Sequence, residues 1–346
     1  MIFKSKIYQE NDTLIVEDLY KDIENFIKNE KENKLKELQK TNPNLTIDDL
    51  KVDRGHPLQH ILNSTSGGYV SPTSMKSFES CPASYLYSKL VTEKTGSATS
   101  VGRSYHTIME KWYNSEDRSI KNIYKILEQE IKDSNQENSR KSLEDYVKGY
   151  LEAKDYTNGQ DMDHDKLNCF NEVFIKPTIN PLGVNLNVPV YLLIDRIDIR
   201  DNGIYIIDYK TGMGDPNPYL LGEAGYLPQM IFYKWGIEAE YGQEIKNAYL
   251  CLPGASEKYK YVEMNVNSLV EQSKVIEKVY NHLENIRSIR DKKVFPEKIM
   301  RYCNSCQLKY NCYKYIKEKK LDESAISTEI DVNVNVPDNL INIKEE

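Results

Sequence analysis

No stretch of this 346-residue chain has the roughly 18–20 consecutive apolar residues needed to cross a bilayer. Its N-terminus, MIFKSKIYQEND, lacks the apolar core of a secretory signal, so the cytoplasm is the expected compartment and no membrane partner is expected. Internal repeats are absent, which excludes solenoids and arrays. Cysteine is scarce, with six residues in all, too few for a disulfide framework in a chain this long. Histidine is scarcer still, at five. Two of these, His56 and His60, have helical metal-site spacing but no third ligand nearby, and read as surface or structural residues.

What is present is charge. Charged residues make up 29% of the chain and the formal net charge is −7. Residues 321–346 hold seven acids and one base, so this tail carries −6 of that −7. Residues 285–320 hold eleven Lys and Arg against three Asp and Glu, a net of +8. A basic segment before an acidic tail is compatible with phosphate binding and a solvated terminus, and equally with an ordinary basic helix surface.

Residues 1–70 read as an appended region without assigned chemistry, including a helix over about 16–39. Ser71-Pro72 starts a helix, with Pro and hydroxyl residues where a first turn takes them. Gly102–Tyr113 opens another, striped by Tyr105, Ile108, Met109 and Trp112, with His106 beside the stripe. Residues 120–153 read as one or two helices, 171–179 as a strand, 227–241 as a helix, 248–252 and 259–264 as strands, and 266–291 as a long amphipathic helix. The expected fold is an α/β core, with a mixed sheet flanked by helices and a helical N-terminal half. Tail residues Ile330, Val332, Val334 and Val336 alternate with polar ones. A peripheral strand and a flexible acidic tail are both compatible with that pattern.

The central stretch is VPVYLLIDRIDIRDNGIYIIDYKTG, residues 188–212. Two β-rich runs flank Asn202-Gly203, a strong hairpin signal because both residues tolerate the positive φ of a type I′ turn. A two-residue loop there sets Asp201 opposite Ile204, Asp195 opposite Lys210, and Ile197 opposite Asp208. By strand parity Asp195, Asp208 and Lys210 then converge on one face. Two carboxylates are hard ligands suited to Mg²⁺ or Mn²⁺. A lysine beside them can orient a water or steady phosphoryl charge.

This constellation resembles the PD-(D/E)XK nuclease core of the RecB type. Asp195 in LLIDRID and Asp208-Tyr-Lys210 supply its centre. Gly102-Arg-Ser-Tyr-His106 is similar to the family's G-x-x-x-H helix, and Gln229-Met-Ile-Phe-Tyr233 to its Q-x-x-x-Y helix. Glu172 stands, more loosely, where an acid is found on the preceding strand. The resemblance spans about residues 71–315. It implies a restriction-endonuclease-like fold and metal-dependent hydrolysis of DNA at ends or in single strands. His106, Asp195, Asp208 and the Tyr209 carbonyl would be ligands. Lys210, Gln229, Tyr233 and Glu172 would have catalytic or positioning roles, with Gln229 and Tyr233 placing Lys210 or the DNA backbone.

Cys303-x2-Cys306-x5-Cys312, with Cys81 far upstream, resembles the split cysteine set of iron–sulfur nucleases such as AddB and the CRISPR-associated adaptation nucleases. It implies a 4Fe-4S cluster stapling the ends of a 71–320 domain. Spacing alone also admits Zn²⁺. Cys169 and Cys251 read as buried structural residues. A helicase or recombination protein is a candidate partner, with residues 1–70 as a docking region. The competing readings are a catalytically silent DNA- or protein-binding module on the same scaffold, and a zinc-stapled interaction protein.

Overall fold

The computed structural model describes residues 2–10, 13–52, 70–90, 97–212, 214–222, 224–300, 303–310, 312–321, 329–335 and 341–343. His56 and His60 lie outside these. The chain divides into two compact units, residues 94–277 and residues 1–93 with 278–346. Among the described residues no helix is long and apolar enough to cross a membrane.

The 94–277 unit begins with three helices, α1 (Ser97–Tyr113), α2 (Ile120–Asp133) and α3 (Arg140–Leu151). A five-stranded sheet follows, built from β1 (Cys169–Ile175), β2 (Leu192–Arg200), β3 (Gly203–Tyr209), β4 (Ile245–Cys251) and β5 (Tyr261–Met264). The helix α4 (Leu227–Tyr241) lies in sequence between β3 and β4. The spatial order is β5-β4-β3-β2-β1. Only β3 and β4 run parallel, as expected where a helix provides the crossover. The sheet is therefore mixed and flanked by helices, as its sequence implies.

The α1 stripe is fully buried at Tyr105, Ile108, Met109 and Trp112. It packs in one cluster with Leu127 of α2, Val147 of α3 and Ile207 of β3. Helix α4 is buried along most of its length, which accounts for its almost all-round apolar sequence. A side chain at Gly236 would meet Leu192 Cδ1 at 2.3 Å, so glycine lets α4 approach the sheet.

The hairpin differs from expectation in its turn. Arg200 faces Gly203, making Asp201 and Asn202 the central residues, and Gly203 takes a φ of 140°. A Cβ at Gly203 would lie 2.8 Å from Lys246 Cβ. The glycine thus serves the approach of β4 and the close of the turn, rather than a type I′ centre. The register moves by two residues, so Asp195 falls opposite Asp208 instead of Lys210. An even shift leaves every side chain on its expected face.

Glu172 stands in the middle of β1 with a φ of 48°, left-handed backbone that costs a non-glycine residue about 1–2 kcal/mol. The strand faces exchange around it. Cys169 packs with the α1–α3 cluster, whereas Ile175 reaches Gly236 of α4. The partner strand does the same: Arg196 bonds Tyr113 of α1, while Leu192 meets Gly236.

The other unit contains strands in a region expected to be helical. Strand Ile2–Glu10 pairs with Thr13–Ile15 on one side and with Glu329–Asn335 on the other. Val294–Pro296 completes this sheet. The alternating tail residues Ile330, Val332 and Val334 therefore form a strand, and Ile341–Ile343 pairs with Leu50–Val52. The expected helix appears as Glu17–Leu38, burying Leu19 and Ile23. Ser71 caps the helix Pro72–Ser80 by accepting from the Ser74 amide at 3.1 Å. Cys81 then breaks the helix with extended backbone, and Pro82 opens the next one.

Candidate active site

Helix α1 delivers His106 to the sheet, and Gly102 one turn earlier explains how. A Cβ there would stand 3.2 Å from Thr211 Oγ1, so the glycine lets α1 sit against the residues after Lys210. His106 Nε2 meets the Tyr209 carbonyl at 3.2 Å. Its Nδ1 faces Asp195 Oδ1 at 3.4 Å and Glu172 Oε1 at 3.5 Å. Ligand atoms of His106, Glu172 and Asp195 all lie within 4.8 Å of one another. The looser sequence match, Glu172, thus belongs to the tightest cluster.

Asp195 Oδ2 accepts from the Tyr209 amide at 2.7 Å. Tyr209 therefore serves the site twice, with its N–H on Asp195 and its carbonyl beside His106. Asp208 is fully buried. Its Oδ1 accepts from Gln229 Nε2 at 3.1 Å, and its Oδ2 pairs with the Lys210 ammonium. The same Gln229 amide also bonds the Tyr233 hydroxyl, at 2.6 Å. The Gln–Tyr helix thereby holds Asp208, where Lys210 or the DNA backbone was expected. Lys210 Nζ also lies 5.0 Å over the Tyr226 ring, a residue the sequence reading did not select.

Burial and charge set the protonation pattern. Burial alone would lower the His106 pKa, but Asp195 and Glu172 outweigh it and push it up to about 10. Burial pushes Asp208 up to about 6, with Asp195 adding to the effect and Lys210 opposing it. Asp195 is buried too, yet His106 and Lys210 hold its carboxyl below the ordinary value. Burial likewise disfavours the Lys210 ammonium, but Asp208 and Asp195 more than compensate and raise its pKa. An imidazolium and an ammonium supply the positive charge that the acids demand. A divalent cation that displaced the His106 proton would answer the same demand, with the imidazole and the carboxylates as its donors.

On the other side of β2 lies a cluster that motif reading missed. Arg196 is completely buried. Its Nε lies 2.8 Å from Asp198 Oδ1, its Nη2 donates to Oδ2 at 3.0 Å, and its Nη1 reaches the hydroxyls of Tyr113, Tyr150 and Tyr209. Tyr156 donates to Asp198 at 2.6 Å. The available signal was strand parity, since residues 196 and 198 alternate with Asp195.

All four motif cysteines fall in the 1–93/278–346 unit, while the acids fall in the other. Cys81 Sγ accepts from the amides of Ser84 at 3.5 Å and Lys298 at 3.4 Å. Cys303 Sγ accepts from the Met300 amide at 3.2 Å, and Ser84 Oγ is 3.4 Å from Cys306 Sγ. Burial pushes the Cys81 thiol up, with Cys306 contributing. Burial, reinforced by Glu297, pushes Cys312 up to about 12. Glu297 is itself buried and bonds Gln9 and, at 3.0 Å, the Lys314 amide. Cys81 and Cys312 are buried in one apolar cluster, and Cys306 packs against it. Cys251 is buried and Cys169 half-buried, in keeping with structural roles.

The fold and the site define a class. A family model for the PD-(D/E)XK nuclease superfamily matches residues 69–313. The chain belongs to that superfamily. Among solved structures it is similar to a Eubacterium rectale protein provisionally described as an exonuclease, at 12% identity with a TM-score of 0.42, over 68% of this chain and 87% of that one. The search of curated proteins found no match.

Proposed function

We propose that this chain is a divalent-metal-dependent nuclease that hydrolyses DNA phosphodiester bonds at ends or in single strands. The observation that carries this reading is the cluster of His106, Glu172 and Asp195 ligand atoms beside the Asp208–Lys210 pair. Mg²⁺ or Mn²⁺, when bound, would supply Lewis acidity and lower the pKa of a water. His106, Asp195, Glu172, Asp208 and the Tyr209 carbonyl would hold it. Lys210, kept cationic by two aspartates, places positive charge where a phosphodiester accumulates negative charge. Gln229 fixes the Asp208 carboxylate, and Tyr233 fixes Gln229. We also assign a structural 4Fe-4S cluster to Cys81, Cys303, Cys306 and Cys312. That reading is supported by the amide donors on Cys81 and Cys303.

End-labelled linear and closed circular DNA, incubated with Mg²⁺ or Mn²⁺, test the activity. Loss of linear substrate alone identifies an end-directed enzyme. Unchanged cleavage by Asp208→Ala or Lys210→Ala would overturn the site assignment. The purified protein should be brown, and Cys306→Ala should lose that colour and melt at a lower temperature. A colourless wild-type protein loaded with zinc would remove the iron–sulfur assignment.

A further inference from the structure

The strand pair β1–β2 continues past the site acids into an exposed aromatic patch. Two residues beyond Glu172 and Asp195, Phe174 faces Leu193 across the ladder. These two are 45% and 46% exposed, and Tyr191 is 42% exposed. The Phe174 and Tyr191 rings lie 4.6 Å apart at 60°. Lys176 Nζ stands 5.2 Å from one ring centroid and 5.6 Å from the other. Two residues of extended chain cover about 7 Å, so the patch adjoins the acids. The left-handed Glu172 matters here. Because the strand faces exchange at that residue, Phe174 emerges on the face opposite Ile175 and α4, the face from which α1 delivers His106. Among the described residues β1 lies at the sheet edge, so the patch borders an edge strand.

Large rings left in water beside an ammonium have a specific use. Base faces stack on aromatic rings, and a neighbouring lysine answers the phosphate. A duplex keeps its base faces covered, so only an unpaired strand has them to offer. We propose that Phe174, Tyr191 and Lys176 form a stacking platform for an unpaired nucleotide next to the scissile phosphate. The platform would make single-stranded nucleic acid the preferred substrate. It rests on the nuclease reading for its orientation to the site, and on its own geometry for binding.

The test uses the full chain in EDTA, with fluorescence anisotropy on a labelled single-stranded oligonucleotide and on the same sequence as a blunt duplex. Phe174→Ala combined with Tyr191→Ala should weaken single-strand binding on the order of tenfold or more, with duplex binding unchanged. Tyr191→Phe, which keeps the ring, should bind as wild type does. Thermal melting of each variant separates lost stacking from lost folding. If the double variant is folded and binds the single strand normally, the platform is overturned. Equal loss on both substrates also overturns it, because stacking cannot act on a closed duplex. If the variant instead abolishes self-association with single-strand binding intact, the patch is a protein interface and the proposal fails. A wild-type protein that cleaves nothing, but whose single-strand affinity falls in the double variant, would sink the nuclease reading and leave the platform standing.

Discussion

The two sides of strand β2 bury charge in opposite ways. On one side Arg196 and Asp198 form a bidentate pair that also meets tyrosine hydroxyls, with Arg200 3.7 Å from Asp198. Each charge in it faces an opposite one. On the other side Asp195, Asp208 and Glu172 are balanced by an imidazolium and an ammonium that lie close by, and one carboxyl there is pushed up to about 6 by burial. This cluster is satisfied only provisionally. Adjacent residues of one strand thus separate a network of paired charges from the one proposed to be reactive, and the proposed difference is whether another cation is wanted.

Substitutions should divide along the same line. Asp208→Asn is expected to reduce DNA cleavage by at least about a thousandfold, as loss of a major charge-stabilising group does, while its melting temperature holds or rises. Arg196→Met should act in reverse. It removes the bidentate partner of buried Asp198, leaving Tyr156 and the more distant Arg200, at a cost of up to about 3–5 kcal/mol, read as a lower denaturation midpoint. If Arg196→Met melted normally, the claim that this side is structural would be lost. Gln229→Ala, which frees the Asp208 carboxylate without removing it, should cost about 10–100-fold in metal affinity or activity, measured by metal titration of the rate.

A separate, pH-dependent effect concerns His164, which packs on Trp112 and bonds Tyr113 at 3.0 Å. Burial and the nearby Arg196 push it down to about 4, with Arg118 assisting and Asp163 and Asp155 opposing. The unfolded histidine, near 6.5, binds the proton more tightly than the folded one. Stability should therefore fall as pH drops from 6.5 towards 4, and lose nothing further from this group below that. The total is at most about 3–4 kcal/mol. Denaturant melts across that window should show a shallower decline in His164→Gln.

Much of the reactive side was legible in the sequence because it rests on local rules. Parity places Asp195, Asp208 and Lys210 together whether the turn is centred on 202–203 or 201–202, since a shift of two residues preserves faces. The spacing of Gln229 and Tyr233 likewise sets both on one turn of α4. What was not legible depends on distant packing. Nothing local announces that Glu172 adopts left-handed backbone, or that Gln229 meets Asp208 rather than Lys210. The tyrosines around Arg196 come from α1, α3 and β3, and no motif joins them. Strand Ile2–Glu10 was missed because most of its ladder is made with residues more than three hundred positions away.

That last pairing bears on the order in which the molecule assembles. Residues 94–277 are continuous in sequence and contain every residue assigned to the acid site, so this unit can form while synthesis proceeds. The other unit cannot. Its first strand waits for residues 329–335, and Cys81 waits for Cys306, 225 positions later. During that interval Cys81 is an exposed thiol without its companions, and strand Ile2–Glu10 has an open edge. Gathering of the four motif cysteines into one unit is therefore a late event.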